Sequence, residues 1–146
     1  MIALDTNILV HAHRRDASLH HRASALVKEL AESPTPWGVC YHSLVEFYGV
    51  ATRRGIWESP STPAAAFDQI DMWRDSPSLR VLHDTEDSPD LLKELALAGS
   101  VIGGMIHDAR VAACCLGQGI DELWTVDRDF SRFPRLRHRN PLADAH

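Results

Sequence analysis

Lysine is scarce in this chain: Lys28 and Lys93 are the only two in 146 residues. Long apolar runs are missing as well. No uninterrupted apolar stretch reaches the roughly 18 residues that suggest a membrane span, so no membrane association is expected. The N-terminus has neither the basic first segment nor the small-residue cleavage pattern of a secretory leader, and a cytoplasmic protein is expected. Cysteine is sparse and odd in number, at Cys40, Cys114 and Cys115. An adjacent pair with no spaced Cys or His partner makes neither a disulfide framework nor a zinc site. Cys114 and Cys115 should point in different directions from one helix, and reduced thiols are expected. The glycine-rich GSVIGG is not followed by GK[ST], which excludes a phosphate-cradling P-loop; it reads as a loop or a tight approach. Repeats and low-complexity segments are absent. The formal net charge of −5 argues against a non-specific nucleic-acid coat.

An apolar fraction of 45% and a charged fraction of 24% are those of a globular chain, long enough for one domain over residues 1–146 with a real core. The cations are mostly arginine, the better fork for phosphate oxygens. Arg128, Arg132, Arg135, Arg137 and Arg139 crowd near the C-terminus, and Arg14–Arg15 and Arg53–Arg54 form two pairs.

Ile2 to Leu4 reads as a short buried strand, followed by a helix to His13 with Thr6 or Asn7 as its cap. HHRASALVKELAES places Ala23, Leu26, Val27 and Leu30 on one helical face. Trp37 to Cys40 is a second strand. YHSLVEFYGVATRRG reads as a helix with Leu44, Phe47, Tyr48 and Ala51 on one side, closed by Gly55. Ala64 to Trp73 is a helix with Ala66, Phe67, Ile70 and Trp73 on its apolar face, and Leu79 to Leu82 a third strand. DSPDLLKELALAGS is a helix opened by Asp87 or Ser88. IHDARVAACCLGQG is a helix ending at Gly117 or Gly119, ELWTV a fourth strand, DRDFSRF a short turn, and LRHRNPL a weak final strand. Strands alternating with helices point to an α/β fold on a mostly parallel sheet, in which ligands gather at the carboxyl ends of the strands.

Asp5 ends the first strand and Asp127 follows the fourth in the same way. Glu46 interrupts an apolar helix, Asp108 opens another, and Asp129 lies two residues past Asp127. Each has an ordinary explanation: Asp5 as a helix cap, Glu46 as a solvated helix residue, Asp108 as a charge favoured by the helix dipole, one acid of DRD as a partner of Arg128. Gathered at one end of a sheet, however, four carboxylates repel unless a cation intervenes. Hard divalent ions take such oxygen ligands, and such a site suits phosphodiester hydrolysis.

LDTNILVHA, LVEF, HDARVAAC and ELWTVDRDFSRFPRL, in this order and approximate spacing, resemble the PIN-domain nucleases and, among them, the VapC toxins of bacterial toxin–antitoxin pairs. The resemblance covers almost the whole chain. It implies a PIN-like three-layer α/β/α fold with a short, mostly parallel sheet of four to five strands. It implies a Mg²⁺- or Mn²⁺-dependent endoribonuclease cleaving structured RNA, such as tRNA or an rRNA loop, and inhibiting translation and growth. Asp5, Asp108 and Asp127 match the catalytic and metal-binding acids, with Asp129 as rival to Asp127 for the fourth place. Glu46 matches the acid that binds metal or orients the attacking water. Thr6, Asn7 and Thr125 match the polar residues that hold those carboxylates. Water would attack the phosphodiester in line, and the leaving 3′ oxygen would depart to give a 5′ phosphate. Arg14, Arg15, Arg53, Arg54, Arg128 and Arg132 are candidates to hold the RNA backbone. A homodimer and a VapB-like antitoxin, its C-terminal segment across the groove, are the implied partners.

A haloacid-dehalogenase-like phosphatase needs a second Asp where Asn7 stands, and a receiver domain needs a Lys that ELWTVDRD does not offer. The remaining alternative is a catalytically silent PIN-like module that binds RNA or a protein.

Overall fold

The computed structural model of the chain describes residues 1–144. Five parallel strands form one sheet in the order β3-β2-β1-β4-β5, with β1 (Ile2–Leu4), β2 (Trp37–Cys40), β3 (Leu79–Leu82), β4 (Glu122–Trp124) and β5 (His138–Arg139). The central strands are short and buried, as expected where helices cover both faces of a parallel sheet. Six α-helices among the described residues do so: α1 (Thr6–His13), α2 (His20–Glu32), α3 (Tyr41–Ala51), α4 (Pro63–Asp75), α5 (Ser88–Ala98) and α6 (Ile106–Gly117).

The period-2 alternation of strand side chains divides the core in two. Leu4, Trp37, Val39 and Leu79 face α1 to α4, packing on Ile8, Leu9, Val27, Phe47 and Trp73. Ala3, Cys40, Leu82 and Leu123 face α5 and α6, packing on Leu95, Val111, Cys115 and Phe130. Gly38 makes room where β2 meets β3: a Cβ there would fall 2.8 Å from Leu82 Cδ1 and force that side chain to shift. The three layers and the parallel sheet are those expected.

Several local expectations change. The cap of α1 is Asp5, as its ordinary explanation has it, and not Thr6 or Asn7. Helix α3 stops at Ala51 rather than Gly55, because its last carbonyls find partners outside the helix. Thr52 N and Thr52 Oγ1 both donate to Tyr48 O, Trp57 Nε1 donates to Val50 O at 2.9 Å, and Ser61 N donates to Ala51 O at 2.9 Å. Phe67 is 54% exposed instead of core, leaning on Tyr48 with ring centroids 4.8 Å apart. The strand β4 ends at Trp124, so Thr125 and Val126 belong to the loop beyond it. The cysteines are free and buried: Cys115 Sγ lies 4.0 Å from Cys40 Sγ, and Cys114 Sγ lies 3.6 Å from His83 O. The last two glycines of GSVIGG begin a 3₁₀ turn that spans Gly103–Met105. No helix among the described residues is long and apolar enough to cross a membrane.

Candidate active site

Strand register sets the first acid and its supports at one level. Leu4 pairs with Trp124, so Asp5 and Thr125 are each the first residue past their strands, and Asp5 N donates to Trp124 O at 2.9 Å. Asp5 Oδ1 accepts from Thr6 N at 2.8 Å, capping α1. Asp5 Oδ2 accepts from Thr125 Oγ1 at 2.8 Å and from Asn7 Nδ2 at 3.3 Å. The Thr125 hydroxyl also accepts from Asn7 Nδ2 and from Asp127 N, each at 3.0 Å, so its one proton and both lone pairs are used. Asn7 Oδ1 accepts from Val126 N at 3.2 Å. Thr6 contributes its backbone N–H; its buried hydroxyl has no partner among the described residues.

Helix α6 brings the second acid. Its buried Ala109, Val111, Ala112 and Cys115 fix it on the sheet, which leaves Asp108 in its first turn, half-buried at the strands' carboxyl ends. The loop after β4 supplies Asp127, which caps the 3₁₀ turn Arg128–Arg132 by accepting from Asp129 N at 2.8 Å. That turn carries Asp129 back beside its neighbour. Asp108, Asp127 and Asp129 each offer a carboxylate oxygen, all three within 4.8 Å of one another. A cleft of about 210 Å³ joins Asp5, Glu46, Asp108 and Asp127, with Val10, His11 and Val50 also lining it.

The electrostatics are those of uncompensated acids. Burial, with Asp108 and Glu46 nearby, pushes Asp5 up to about 7 against the pull of its bonds from Thr125 and Thr6. Asp108 rises to about 6, through burial and then Asp127, Glu46 and Asp129, with His107 opposing. A compact set of hard oxygen donors that resists ionisation in the absence of a cation has the chemistry to hold a hard divalent ion.

The arginines divide. The Arg14 guanidinium lies 4.6 Å over the Trp57 ring, bonds both oxygens of Asp16 and donates to Ser61, with its side chain only 12% exposed. It pins the loop before α4, unlike the other arginine candidates. Arg15, Arg53, Arg54, Arg128 and Arg132 are exposed; Arg132 Nη1 donates to Gly99 O at 3.1 Å. His42 and Arg110 carry no motif in the sequence, and His107, beside Asp108, reads there as local structure rather than a catalyst; the structure sets all three next to Glu46 and Asp108. Their only signal was spacing: His42 lies one helical turn before Glu46, and His107 next to Asp108.

The family model "PIN domain" matches residues 2–136. Ribonuclease VapC43 of Mycobacterium tuberculosis is 34% identical over 142 residues, covering 97% of this chain and 96% of that protein. Among solved structures, VapC20 of Mycobacterium tuberculosis, described as a sarcin–ricin loop cleaving toxin, superimposes with a TM-score of 0.69 at 23% identity, covering 90% of this chain and 93% of that one. VapBC2 from Rickettsia felis, bound to a promoter DNA fragment, gives 0.65 at 22% identity, covering 96% and 98%.

Proposed function

The chain belongs to the PIN-domain family and, within it, to the VapC ribonucleases; from that premise we propose a divalent-cation-dependent endoribonuclease acting as the toxin of a toxin–antitoxin pair in the cytoplasm. The observation that carries the cation requirement is the convergence of Asp108, Asp127 and Asp129 oxygens within 4.8 Å, beside buried Asp5. Asp5, Asp108, Asp127 and Asp129 would hold Mg²⁺ or Mn²⁺. When bound, such an ion lowers the pKa of water and neutralises charge on the scissile phosphate. Glu46 faces the same cleft and orients or deprotonates the attacking water. Thr125, Asn7 and the Thr6 amide keep Asp5 in place. Arg15, Arg53, Arg54, Arg128 and Arg132 offset the acid cleft toward a polyanion. The substrate class is structured RNA, a tRNA or an rRNA loop, in keeping with the loop-cleaving relative.

The proposed partners are a second copy of the chain and a VapB-like antitoxin. A separate groove of about 460 Å³ between α3 and α4, lined by Tyr41, Val45, Tyr48 and Phe67, gives apolar surface for a protein contact. The decisive experiment is cleavage of end-labelled cellular RNA by the purified chain in Mg²⁺, Mn²⁺ or chelator. Discrete, cation-dependent cuts are expected. Intact RNA in both ions, with the protein folded, would favour the silent binding module instead.

A further inference from the structure

Beside the acid cleft, a line of polar side chains runs from Asp84 through Arg110 to His42 and stops short of Glu46. Arg110 Nη2 donates to Asp84 Oδ2 at 3.0 Å, and Arg110 Nη1 meets His42 Nδ1 at 3.3 Å. A guanidinium has no lone pair to offer, so in this contact His42 Nδ1 must accept. The ring proton of a neutral His42 therefore sits on Nε2. Burial, and then Arg110, hold the His42 pKa below its ordinary value, against the opposing influence of Glu46 and Asp84, in keeping with a neutral ring. The His107 ring lies parallel to it, 12° between planes and 5.2 Å between centroids, and fixes its plane from one side.

The Nε2 atom so prepared is buried and has no hydrogen-bond partner among the described residues. Buried N–H groups seldom go unpaired. A carboxylate oxygen, Glu46 Oε2, lies 3.9 Å away, one helical turn along α3. Glu46 for its part differs from Asp5. Three donors hold Asp5, whereas no hydrogen bond among the described residues holds the Glu46 carboxylate, whose side chain is 41% exposed. A long flexible acid with no donor and a buried donor with no acceptor thus face each other across less than one bond's slack.

We propose that His42 is a positioning residue for Glu46: its Nε2–H, aimed by Arg110 and Asp84, bonds the Glu46 carboxylate and fixes which of its oxygens faces the cleft. Only the consequence for hydrolysis rests on the ribonuclease reading; the tautomer and the bond do not. The first test is therefore long-range ¹H–¹⁵N NMR of the imidazoles in the metal-free full chain. The expected result is the Nε2–H tautomer of His42, an Hε2 resonance that moves in Glu46→Gln, and loss of the single tautomer in Arg110→Met. An Nδ1–H tautomer, or an Hε2 unaffected by Glu46→Gln because water holds it, would overturn the proposal. In cleavage assays, His42→Ala should lower kcat about tenfold with KM unchanged, while His42→Gln, whose amide N–H reaches the place of Nε2, should keep most of the rate. Equal losses in the two variants at equal urea midpoints, or a change in KM alone, would also refute it. Absence of cleavage by the parent chain would refute the ribonuclease reading, with the NMR result still deciding the bond.

Discussion

At the floor of the cleft, Asp5 is buried, accepts three hydrogen bonds and caps a helix. At the rim, Asp108, Asp127 and Asp129 bring three carboxylates within 4.8 Å with no basic side chain among the described ion pairs of those three. The floor is ordered by its own bonds. The rim is ordered by elements anchored elsewhere, α6 by its apolar face and the 3₁₀ turn by Phe130, and those elements hold like charges together at a cost. Floor residues should therefore matter to stability and activity alike, whereas Asp108 at the rim should matter to activity and oppose stability.

The strongest way to break that distinction is to neutralise one acid at the rim. Asp108→Asn should lower the rate of RNA cleavage by about 10³-fold or more, roughly 4 kcal/mol of barrier. In chelator its urea midpoint should equal or exceed that of the parent chain, because repulsion is relieved. Wild-type cleavage, or a clear fall in midpoint, would show that Asp108 is a structural acid. Thr125→Val strikes the floor instead. It removes the donor to Asp5 and strands two N–H groups, and it should destabilise the chain by about 1–3 kcal/mol in urea unfolding, with cleavage impaired too. Thr125→Ser should recover most of both.

Much of this was legible in the residues. Apolar runs and their punctuation located the strands and helices, and the acids at strand ends marked the cleft. What sequence could not supply was lateral alignment. Whether Asp127 or Asp129 meets Asp108 depends on a 3₁₀ turn that brings both, and a turn of that size leaves no periodic signal. Arg14 read as a phosphate ligand because nothing local says that Trp57, forty-three residues on, will lie under its guanidinium. His42 and Arg110 belong to different helices, and only packing makes them neighbours. The end of α3 was overrun because its stop is made by side chains and amides arriving from the loop beyond, not by Gly55.

A pH signature cuts across that contrast, because the ionised forms of both the floor acid Asp5 and the rim acid Asp108 are disfavoured. Asp5 and Asp108 are raised to about 7 and about 6, from an ordinary value of 3.8. Between about pH 4 and 7 the folded chain thus binds more protons at these sites than the unfolded chain, and the linkage slope is negative. Their contribution to stability is fully present below pH 4 and is lost as pH rises through 6 and 7. In chelator, the parent chain should lose stability relative to Asp5→Asn between pH 5 and 7.5, by urea midpoint. Saturating Mg²⁺, which favours the ionised forms, should flatten that trend. A difference that stays constant with pH would mean that Asp5 titrates normally.

Carried to the arginines, the contrast yields the smallest effect. Arg14 is engaged by Trp57, Asp16 and Ser61, so Arg14→Ala should appear as lost stability. Arg53 and Arg54 lie exposed just past α3, whose Val50 lines the cleft, and they have no ion pair among the described residues. Their double replacement by Ala should leave the urea midpoint within about 0.5 kcal/mol of the parent and weaken RNA binding a few-fold at moderate salt. The diagnostic is the salt dependence rather than the affinity. Two phosphate contacts to a single strand contribute about 1.4 to the slope of log affinity against log salt, and the double variant should be shallower by that amount. An unchanged slope would place the RNA backbone away from this loop and leave Arg128 and Arg132, beside the rim acids, to carry it.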